Sequence, residues 1–377
     1  MSALTIAGMD TVIVDLPLRR PHRFKSMTAT HQSYLLVRVR TVDGIDGIGE
    51  SVVPGGPWWG GESVETMRAV IDGYLAPELL GGDATRIELL THRLDRVAAG
   101  NSFAKAAVEI ALFDACGRAL GVPVHRLLGG LYRESIPVTW ALGAEDADIV
   151  IAEAEEKLEA GLHTSFKLKM GATDPRGDAA RIVAVAKALA DRASVRVDLN
   201  AAWDEPTSTR WLPRLEDAGV DLIEQPVPGW NIEAMRRIAA RLTIPVMADE
   251  SLASVHDALA LCRAEAADIF SLKIHKLGGL AATRKAAAVA EAAGVPCHGG
   301  SSIESSVGTA AAAHAYGAIG NVTFGCELFG PSLLAADVVI DPVRYEHGEL
   351  VVPDGPGLGV ELDLDQVGRY ARGGTGW

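Results

Sequence analysis

Charged side chains stand at the ends of successive apolar segments in the middle of the chain. Asp198, Glu224 and Asp249 end the segments VRVD, LIE and VMAD, and Lys273 follows IFSL. The spacings from Asp198 to Lys273 are 26, 25 and 24 residues. Each spacing suits one strand followed by one helix, so we predict that consecutive β/α units carry these groups to one end of a parallel sheet.

The segment SFKLKMG contributes two more charges through strand-like alternation. Phe166, Leu168 and Met170 fall on one face, and Lys167 and Lys169 fall on the other. In a barrel the apolar face meets the surrounding helices and the lysines point inward, where they need partners. Taken by itself, the segment also fits an edge strand with a solvated lysine face.

These residue types together suit enolate chemistry. Three carboxylates at one rim repel one another unless a cation lies between them, and oxygen ligands suit Mg²⁺ or Mn²⁺. Lys169 and Lys273 would approach from opposite sides and move a proton at the carbon next to a substrate carboxylate. The cation and the charge of Lys167 would stabilise the enolate. A single carboxylate would also suit a salt bridge or a helix cap, but five charges in register are hard to explain in that way.

Strand-like and helix-like segments alternate from about residue 136. Eight apolar segments predict strands: IPVTWALG, SFKLKMG, VRVDLN, DLIEQP, IPVMADE, IFSLKIHK, PCHGGSS and NVTFGCELF. Alanine-rich stretches such as ADIVIAEAEEKLEAG separate them. This pattern predicts an α/β fold, a modified (β/α)7β TIM-like barrel whose catalytic groups gather at the C-terminal ends of its strands. A doubly wound sheet is the alternative, but WALGAED is not a phosphate-binding fingerprint.

The chain before the barrel has a different pattern. TIAGMDTVIVDLPL and SYLLVRVRTVDG predict strands joined by the charged loop LRRPHRFKSMTATHQ, and the glycine-rich loop VPGGPWWGGES follows. SFAKAAVEIALFDACGRAL predicts a helix that Ser102 would cap. We therefore expect an N-terminal α+β capping domain at 1–130 and the catalytic barrel at 131–340. The tail at 341–377 is expected to return to the capping domain and complete it.

Composition excludes several classes of protein. The formal net charge is −14 without a Lys/Arg cluster, which argues against a nucleic-acid partner. The four cysteines form no CxxC pair, so neither a disulfide framework nor a zinc ribbon is indicated. Neither a secretory signal nor a run of about 18 apolar residues is present, so we expect a cytoplasmic protein without a membrane partner.

The combined motifs resemble a known family, the muconate lactonizing enzyme subgroup of the enolase superfamily. The motifs that carry the likeness are KLK at 167–169, DLN at 198–200, EQP at 224–226, DE at 249–250 and Lys273. The likeness covers essentially the whole chain, including the capping unit. It implies a divalent cation, Mg²⁺ or Mn²⁺, and a base of the kind that this superfamily pairs with such an ion.

The resemblance also implies roles for individual residues. The metal ligands would be Asp198, Glu224 and Asp249. Lys169 and Lys273 would be the acid/base pair, with Glu250 holding Lys273 in place. Residues expected to support the site or contact the substrate are Asn200, Glu250, Glu327, His22, Lys25, Trp58 and Ser301. Glu327 also suits a buried structural role, His22 and Lys25 suit either a distal substrate carboxylate or solvent, and Trp58 suits either a lid or a subunit contact.

The subgroup contains muconate cycloisomerases, o-succinylbenzoate synthases, N-succinyl amino acid racemases and dipeptide epimerases, which share the enolate step. The two capping loops and the segment SSIESSVGTAAAAHAYGAIGNVTFGCELFGPSLL favour a cycloisomerase of the dicarboxylate cis,cis-muconate. GCELFGP lacks the DxD motif of the epimerases, which makes that reaction less favoured. Chlorinated muconates stay open, Lys169 is the preferred proton donor, and the resemblance suggests a homo-oligomer, often an octamer.

Overall fold

A long antiparallel hairpin begins the chain. The computed structural model describes residues 4–24, 27–374 and 377. The hairpin pairs β1 (Ile6–Arg23) with β2 (Thr28–Thr41), and β3 (Gly47–Val52) pairs with β2. The predicted loop between the first two strands is therefore mostly strand. Pairing resumes at His22 and Ala29 after an irregularity, and His22 and Phe24 are buried. Lys25 lies outside the described residues.

Helices cover the hairpin on one face. They are α1 (Pro57–Gly60), α2 (Val64–Val70), a π-helical turn (Ile71–Leu75), α3 (Ala76–Leu79), α4 (Ile87–Val97), α5 (Ser102–Leu120) and α6 (Val124–Leu127). α5 lies directly on β3, because a Cβ at Gly49 would stand 2.0 Å from the Ala107 carbonyl oxygen. Glycine permits this close approach.

The predicted helix at 102–120 is present, but its predicted cap is wrong. The residue at the capping position is Asn101, whose backbone is in the left-handed region of φ and ψ. Its side chain makes no capping hydrogen bond within the described residues. The carboxylate of Glu62 accepts hydrogen bonds from the amides of Phe103 at 3.0 Å and Ala104 at 3.1 Å. A residue 41 and 42 positions before these amides therefore satisfies two of the N–H groups that the start of a helix leaves without an intrahelical partner. Sequence spacing alone does not reveal such a partner.

Eight parallel strands form the second unit. After β4 (Ser135–Pro137) the chain forms β5 (Trp140–Leu142), β6 (Ser165–Lys169), β7 (Ser194–Asp198), β8 (Leu222–Glu224), β9 (Val246–Ala248), β10 (Ile269–Leu272), β11 (Cys297–Gly299) and β12 (Val322–Cys326). Sheet order follows chain order from β5 to β12. A parallel bridge between Val138 and Cys326 joins the two ends, so the sheet closes into the predicted barrel.

Helices connect successive strands of the barrel. They are α7 (Ala147–Glu159), α8 (Pro175–Leu189), α9 (Glu205–Glu216), α10 (Ile232–Ala239), α11 (Val255–Ala264), α12 (Ile274–Leu277), α13 (Leu280–Ala292) and α14 (Ser306–Ala318), and α15 (Gly330–Leu333) follows β12. Side chains cap several of them in the usual way; Asp174, for example, accepts from the amides of Arg176 and Gly177. The segment IFSLKIHK is not one strand, because β10 ends at Leu272 and α12 begins one residue after Lys273.

The tail contacts both units. β13 (Tyr345–Glu346) and β14 (Glu349–Val351) form a small antiparallel sheet with β4, just before the barrel. α16 (Leu364–Tyr370) follows, and Ala371 bridges Val14 of β1. One apolar core extends from the barrel and its helices into the hairpin, and a second lies between the hairpin and the capping helices. Among the described residues, none of the helices has the length and apolar character needed to cross a membrane.

Candidate active site

The charged groups predicted to meet do lie side by side at the C-terminal ends of the barrel strands. Lys169 of β6 pairs in register with Asp198 of β7, and Asp198 pairs with Glu224 of β8. Asp249 follows β9 and Lys273 follows β10. All five side chains are buried. The apolar face of β6 is fully buried as well. β6 is therefore an interior strand whose lysines point into the barrel, and not an edge strand with a solvated lysine face.

Each predicted carboxylate ligand is paired with a lysine. Lys169 Nζ lies 2.6 Å from Asp198 Oδ2, and Lys273 Nζ lies 2.7 Å from Asp249 Oδ2. Lys167 Nζ donates to Glu224 Oε2 at 2.7 Å and also to Glu327 Oε2. Each of these lysines therefore lies in a buried ion pair. Burial opposes the charge on Lys167, but Glu224 and the carboxylates beside it raise its pKa well above the ordinary value.

The donor set fits a hard divalent cation by its chemistry. Asp198, Glu224 and Asp249 provide oxygen ligands that are completely buried. Burial, and next the charge of Asp198, raise the pKa of Glu224 to about 8, and its Oε1 has no hydrogen-bond partner among the described residues. Such crowding of carboxylates is relieved by a cation. In the described part of the chain, however, no three such side chains converge as a coordination group, and each instead turns toward a lysine.

Lys276 is a second ammonium on Asp249 that the sequence interpretation missed. Its Nζ donates to Asp249 Oδ1 at 2.7 Å and to the Asp249 carbonyl oxygen at 2.5 Å. Burial alone would raise the pKa of Asp249, but Lys273 and Lys276 hold it below the ordinary range. In a continuous strand Lys276 would face away from Lys273. The short helix α12 turns it back, because residues three apart share a helix face.

Glu250 forms a polar pair with Asn200, which lines the cavity. Asn200 Nδ2 donates to Glu250 Oε1 at 3.1 Å, and the Asn200 amide donates to Asp198 Oδ1 at 2.8 Å. Lys273 makes its direct hydrogen bond to Asp249 and not to Glu250. Glu250 is instead in contact with the capping unit, because the indole N–H of Trp59 donates to its Oε1 at 3.0 Å.

A narrow cavity lies between the barrel rim and the capping unit. Predicted site residues that line it are Lys169, Lys273, Asn200, Glu327, His22, Trp58 and Ser301. Phe24, Trp59, Ile303 and Phe329 also line it. The three predicted metal ligands and Lys167 are buried, and neither they nor the half-buried Glu250 line the cavity. The cavity therefore has an apolar upper wall and a floor that carries two ammonium groups.

His22 is held in one tautomer at the cavity wall. Arg20 Nη1 lies 3.2 Å from His22 Nδ1, and a guanidinium only donates, so Nδ1 must accept and Nε2 carries the hydrogen. Burial, and next the charge of Arg20, hold the pKa of His22 well below its ordinary value, so the ring is neutral. Arg20 is itself fixed by Glu153 at 2.9 Å. Among the described residues His22 Nε2 has no hydrogen-bond partner.

The remaining predicted residues have different surroundings. Ser301 Oγ donates to Glu304 Oε2 at 2.5 Å and accepts from the Ile303 amide, so its hydroxyl is already engaged. Trp58 is 36% exposed, and its ring centroid lies 6.0 Å from that of Phe24. Glu327 is buried against Lys167 at one side of the cavity.

Two further residues organise the site through contacts that the sequence did not indicate. Gln225 has a positive φ of 35°, and its Oε1 accepts from the amides of Asp249 and Ser251. It therefore fixes the turn that carries Asp249. Trp59 lies beside Lys273, with the ammonium 4.2 Å from the ring centroid. The EQP motif contained a signal for Gln225, but the contact between Trp59 and Lys273 joins residues 214 positions apart in the chain.

A closed barrel under a capping unit, with two lysines above three buried carboxylates, defines an enzyme of the enolase type. Family models agree with this class: residues 8–129 match the mandelate racemase / muconate lactonizing enzyme N-terminal domain, and residues 150–367 match the enolase C-terminal domain-like family. The chain belongs to the muconate lactonizing branch of this enolase superfamily. The predicted family, fold class and enzyme class are therefore confirmed.

Individual relatives point in the same direction. Muconate cycloisomerase 1 of Rhodococcus opacus is 50% identical over 372 residues, which cover 99% of this chain and all of the relative. The crystal structure of 2-chloromuconate cycloisomerase from Rhodococcus opacus 1CP is 49% identical, with a TM-score of 0.96 over 98% of this chain and 100% of that chain. The muconate lactonizing enzyme of Pseudomonas fluorescens, solved with muconolactone, is 44% identical, with the same TM-score and coverage.

Proposed function

We propose that this enzyme converts cis,cis-muconate to muconolactone, within the breakdown of aromatic compounds through catechol. The observation that carries the proposal is the pair of ammonium groups, Lys169 and Lys273, at the floor of a cavity whose upper wall is apolar. A six-carbon dicarboxylate with a conjugated diene suits such a cavity, because its two charged ends need cations and its middle is apolar. Full-length similarity to cycloisomerases supports the same reaction.

The metal would be held by Asp198, Glu224 and Asp249, with Mg²⁺ or Mn²⁺ as the ion. A divalent cation bound by these carboxylates would act as a Lewis acid that stabilises negative charge on a substrate carboxylate. Their complete burial and the unpartnered Oε1 of Glu224 in the described part of the chain support this set. Lys167 would serve as the fixed counter-charge beneath them, since it contacts Glu224 and Glu327.

His22 would bind the substrate carboxylate at the opposite end of the cavity. Its Nε2–H is a neutral donor without a partner in the described residues, and Arg20 fixes its tautomer. A carboxylate that accepts this hydrogen bond would satisfy a buried donor that otherwise costs about 1–3 kcal/mol. Substituting leucine for His22 should therefore raise KM for muconate more than it lowers kcat.

The reaction requires one ring closure and one proton. An oxygen of one carboxylate forms a bond to the carbon that lies β to the other carboxylate, and the π electron pair of that carbon's double bond moves toward the other carboxylate to give an enolate. Lys169 then donates a proton from Nζ to the α-carbon, and solvent returns a proton to the amine. The dianion thus becomes a monoanionic lactone, with the uptake of one proton per turnover. Lys273 would stabilise the charge on the other face.

Three further features, the domain bounds, the location and the assembly state, stay proposals. We assign residues 1–130 with the tail 341–377 to the capping domain and residues 131–340 to the barrel. The bridge between Val14 and Ala371 supports a tail that packs on the capping unit, although β14 also pairs with β4. A cytoplasmic location is expected from the sequence, and a homo-oligomeric state, often an octamer in such enzymes, is expected from the resemblance.

The function is tested by mixing the purified enzyme with cis,cis-muconate and Mn²⁺ and following the loss of diene absorbance. A pH-stat should record the uptake of one proton per molecule converted, and NMR of the product in D₂O should detect a single deuterium, whose position gives the syn or anti course. Loss of diene absorbance without lactone would contradict cycloisomerisation. Deuterium exchange at the α-carbon of N-succinyl amino acids or dipeptides would instead support a racemase or epimerase.

Chlorinated muconates form a second candidate substrate class. The chain is 49% identical to a 2-chloromuconate cycloisomerase, which favours this class. That identity is close to the 50% identity with muconate cycloisomerase 1. The ratio of kcat/KM for 2-chloromuconate and for cis,cis-muconate decides between them, since both share the ring closure. A ratio above one would assign the chlorinated compound as the preferred substrate.

A further inference from the structure

Trp59 of the capping unit makes two contacts with the catalytic rim of the barrel. Its indole N–H donates to Glu250 Oε1 at 3.0 Å. On the same side chain, the Lys273 ammonium lies 4.2 Å from the ring centroid. A cation within about 6 Å of an indole face is attracted by the ring quadrupole. Trp59 therefore contacts both Lys273 and Glu250. Glu250 directly follows Asp249, the ion-pair partner of Lys273.

The segment around Trp59 lies between two glycines and contacts α5. α1 lies between Gly56 and Gly61, whose φ angles of 103° and 78° fall in the left-handed region that favours glycine. The next residue, Glu62, accepts two amide hydrogen bonds from the start of α5. The ring of Phe103 meets the Trp59 ring edge-on, with centroids 6.2 Å apart. The indole is therefore anchored to α5 and does not hang freely over the cavity.

Lys273 depends on neighbours to fix its long side chain. Asp249 Oδ2 holds the ammonium from one side at 2.7 Å, and the Trp59 ring covers it from another. We propose that Trp59 is a positioning residue for Lys273: it holds the ammonium against the cavity floor, toward the face of the substrate opposite Lys169. The catalytic role of Lys273 in this inference rests on the proposed function. The contact between Trp59 and Lys273 does not depend on that function.

Trp58, the neighbouring tryptophan, has a different environment that makes it a useful contrast. Its ring lies near Phe24, and its contacts suit a wall that covers the substrate. Removing a covering wall weakens substrate binding, whereas misplacing a catalytic ammonium weakens the transition state. The two tryptophans should therefore affect different kinetic constants.

The kinetic test compares Trp59→Leu, Trp59→Phe, Trp58→Leu and Trp230→Leu in steady-state turnover of cis,cis-muconate with Mn²⁺. Trp59→Leu should lower kcat about tenfold with KM within roughly threefold, and Trp59→Phe, which retains a ring without the N–H, should lose less. Trp58→Leu should mainly raise KM. Trp230 is 82% exposed, so its variant should match the wild type. A Trp59→Leu enzyme with wild-type kcat overturns the inference.

Two additional measurements keep the inference testable. If Trp59→Leu does not fold, Trp59→Phe decides, because loss of the hydrogen bond to Glu250 should still lower kcat about threefold, and wild-type kcat there overturns the inference. Independently of turnover, Lys273→Met should change tryptophan emission, and the same substitution in a Trp59→Phe background should not. If Lys273→Met leaves the emission of the enzyme that contains Trp59 unchanged, the contact between Trp59 and Lys273 is overturned. A wild-type enzyme that leaves muconate unconverted rejects the proposed function, and the emission test still judges the contact.

Discussion

Replacing Lys167 by methionine is expected to destabilise the fold strongly. The ammonium is 1% exposed and lies 2.7 Å from Glu224 Oε2 and 3.5 Å from Asp198 Oδ2, with Glu327 also in contact. Methionine keeps most of the side-chain volume but leaves these carboxylates without their central cation. Removal of one member of a buried ion pair typically costs about 3–5 kcal/mol. Arg196 also attracts Glu327 and Glu224 and stays in place as a second cation in the variant.

The loss is measured by urea unfolding in the presence of chelator, followed by circular dichroism and by tryptophan fluorescence. Lys285→Met is the matched control, because that lysine contacts Glu88 on the surface, with side-chain exposures of 55% and 76%. Exposed pairs contribute about 0–1 kcal/mol. If Lys167→Met lowers the free energy of unfolding no more than Lys285→Met does, the buried cation does not hold the carboxylates together and the argument fails.

Three other predictions follow from the same geometry. Lys169→Ala and Lys273→Ala should each lose several orders of magnitude in kcat with the fold retained by circular dichroism, and near-normal turnover in both would contradict their assignment. Chelation should abolish turnover, and Mg²⁺ or Mn²⁺ should restore it and raise the melting temperature, whereas full activity in excess chelator would exclude a metal role. Burial raises the pKa of Glu109 to about 7. Its contribution to stability is therefore present below its unfolded pKa and lost as the pH rises through 7, so between pH 5 and pH 8 the wild type should lose roughly 2 kcal/mol relative to Glu109→Gln. An equal pH response in thermal melts of the two proteins would refute this.

Much of the barrel was predictable because its regular elements repeat. The spacing of 24 to 26 residues matches one strand and one helix, and each strand carries its charged residue at the same end. Alternation along SFKLKMG correctly predicted that Lys169 points inward. Prediction was wrong where a local pattern allowed two structures. The residues around His22 have the charge and proline content of a loop but extend the hairpin, because β1 and β2 resume pairing there.

The sequence by itself determined which charged groups share the rim of the barrel, because strand and helix periods are local properties that a single segment reveals. Only the tertiary structure decided what surrounds those groups. Lys276 joins Asp249 because the strand stops at Leu272, and Trp59 meets Lys273 because the capping unit folds over the rim. Such contacts form between segments distant in the chain, and their geometry depends on how whole units pack, which neither composition nor periodicity encodes.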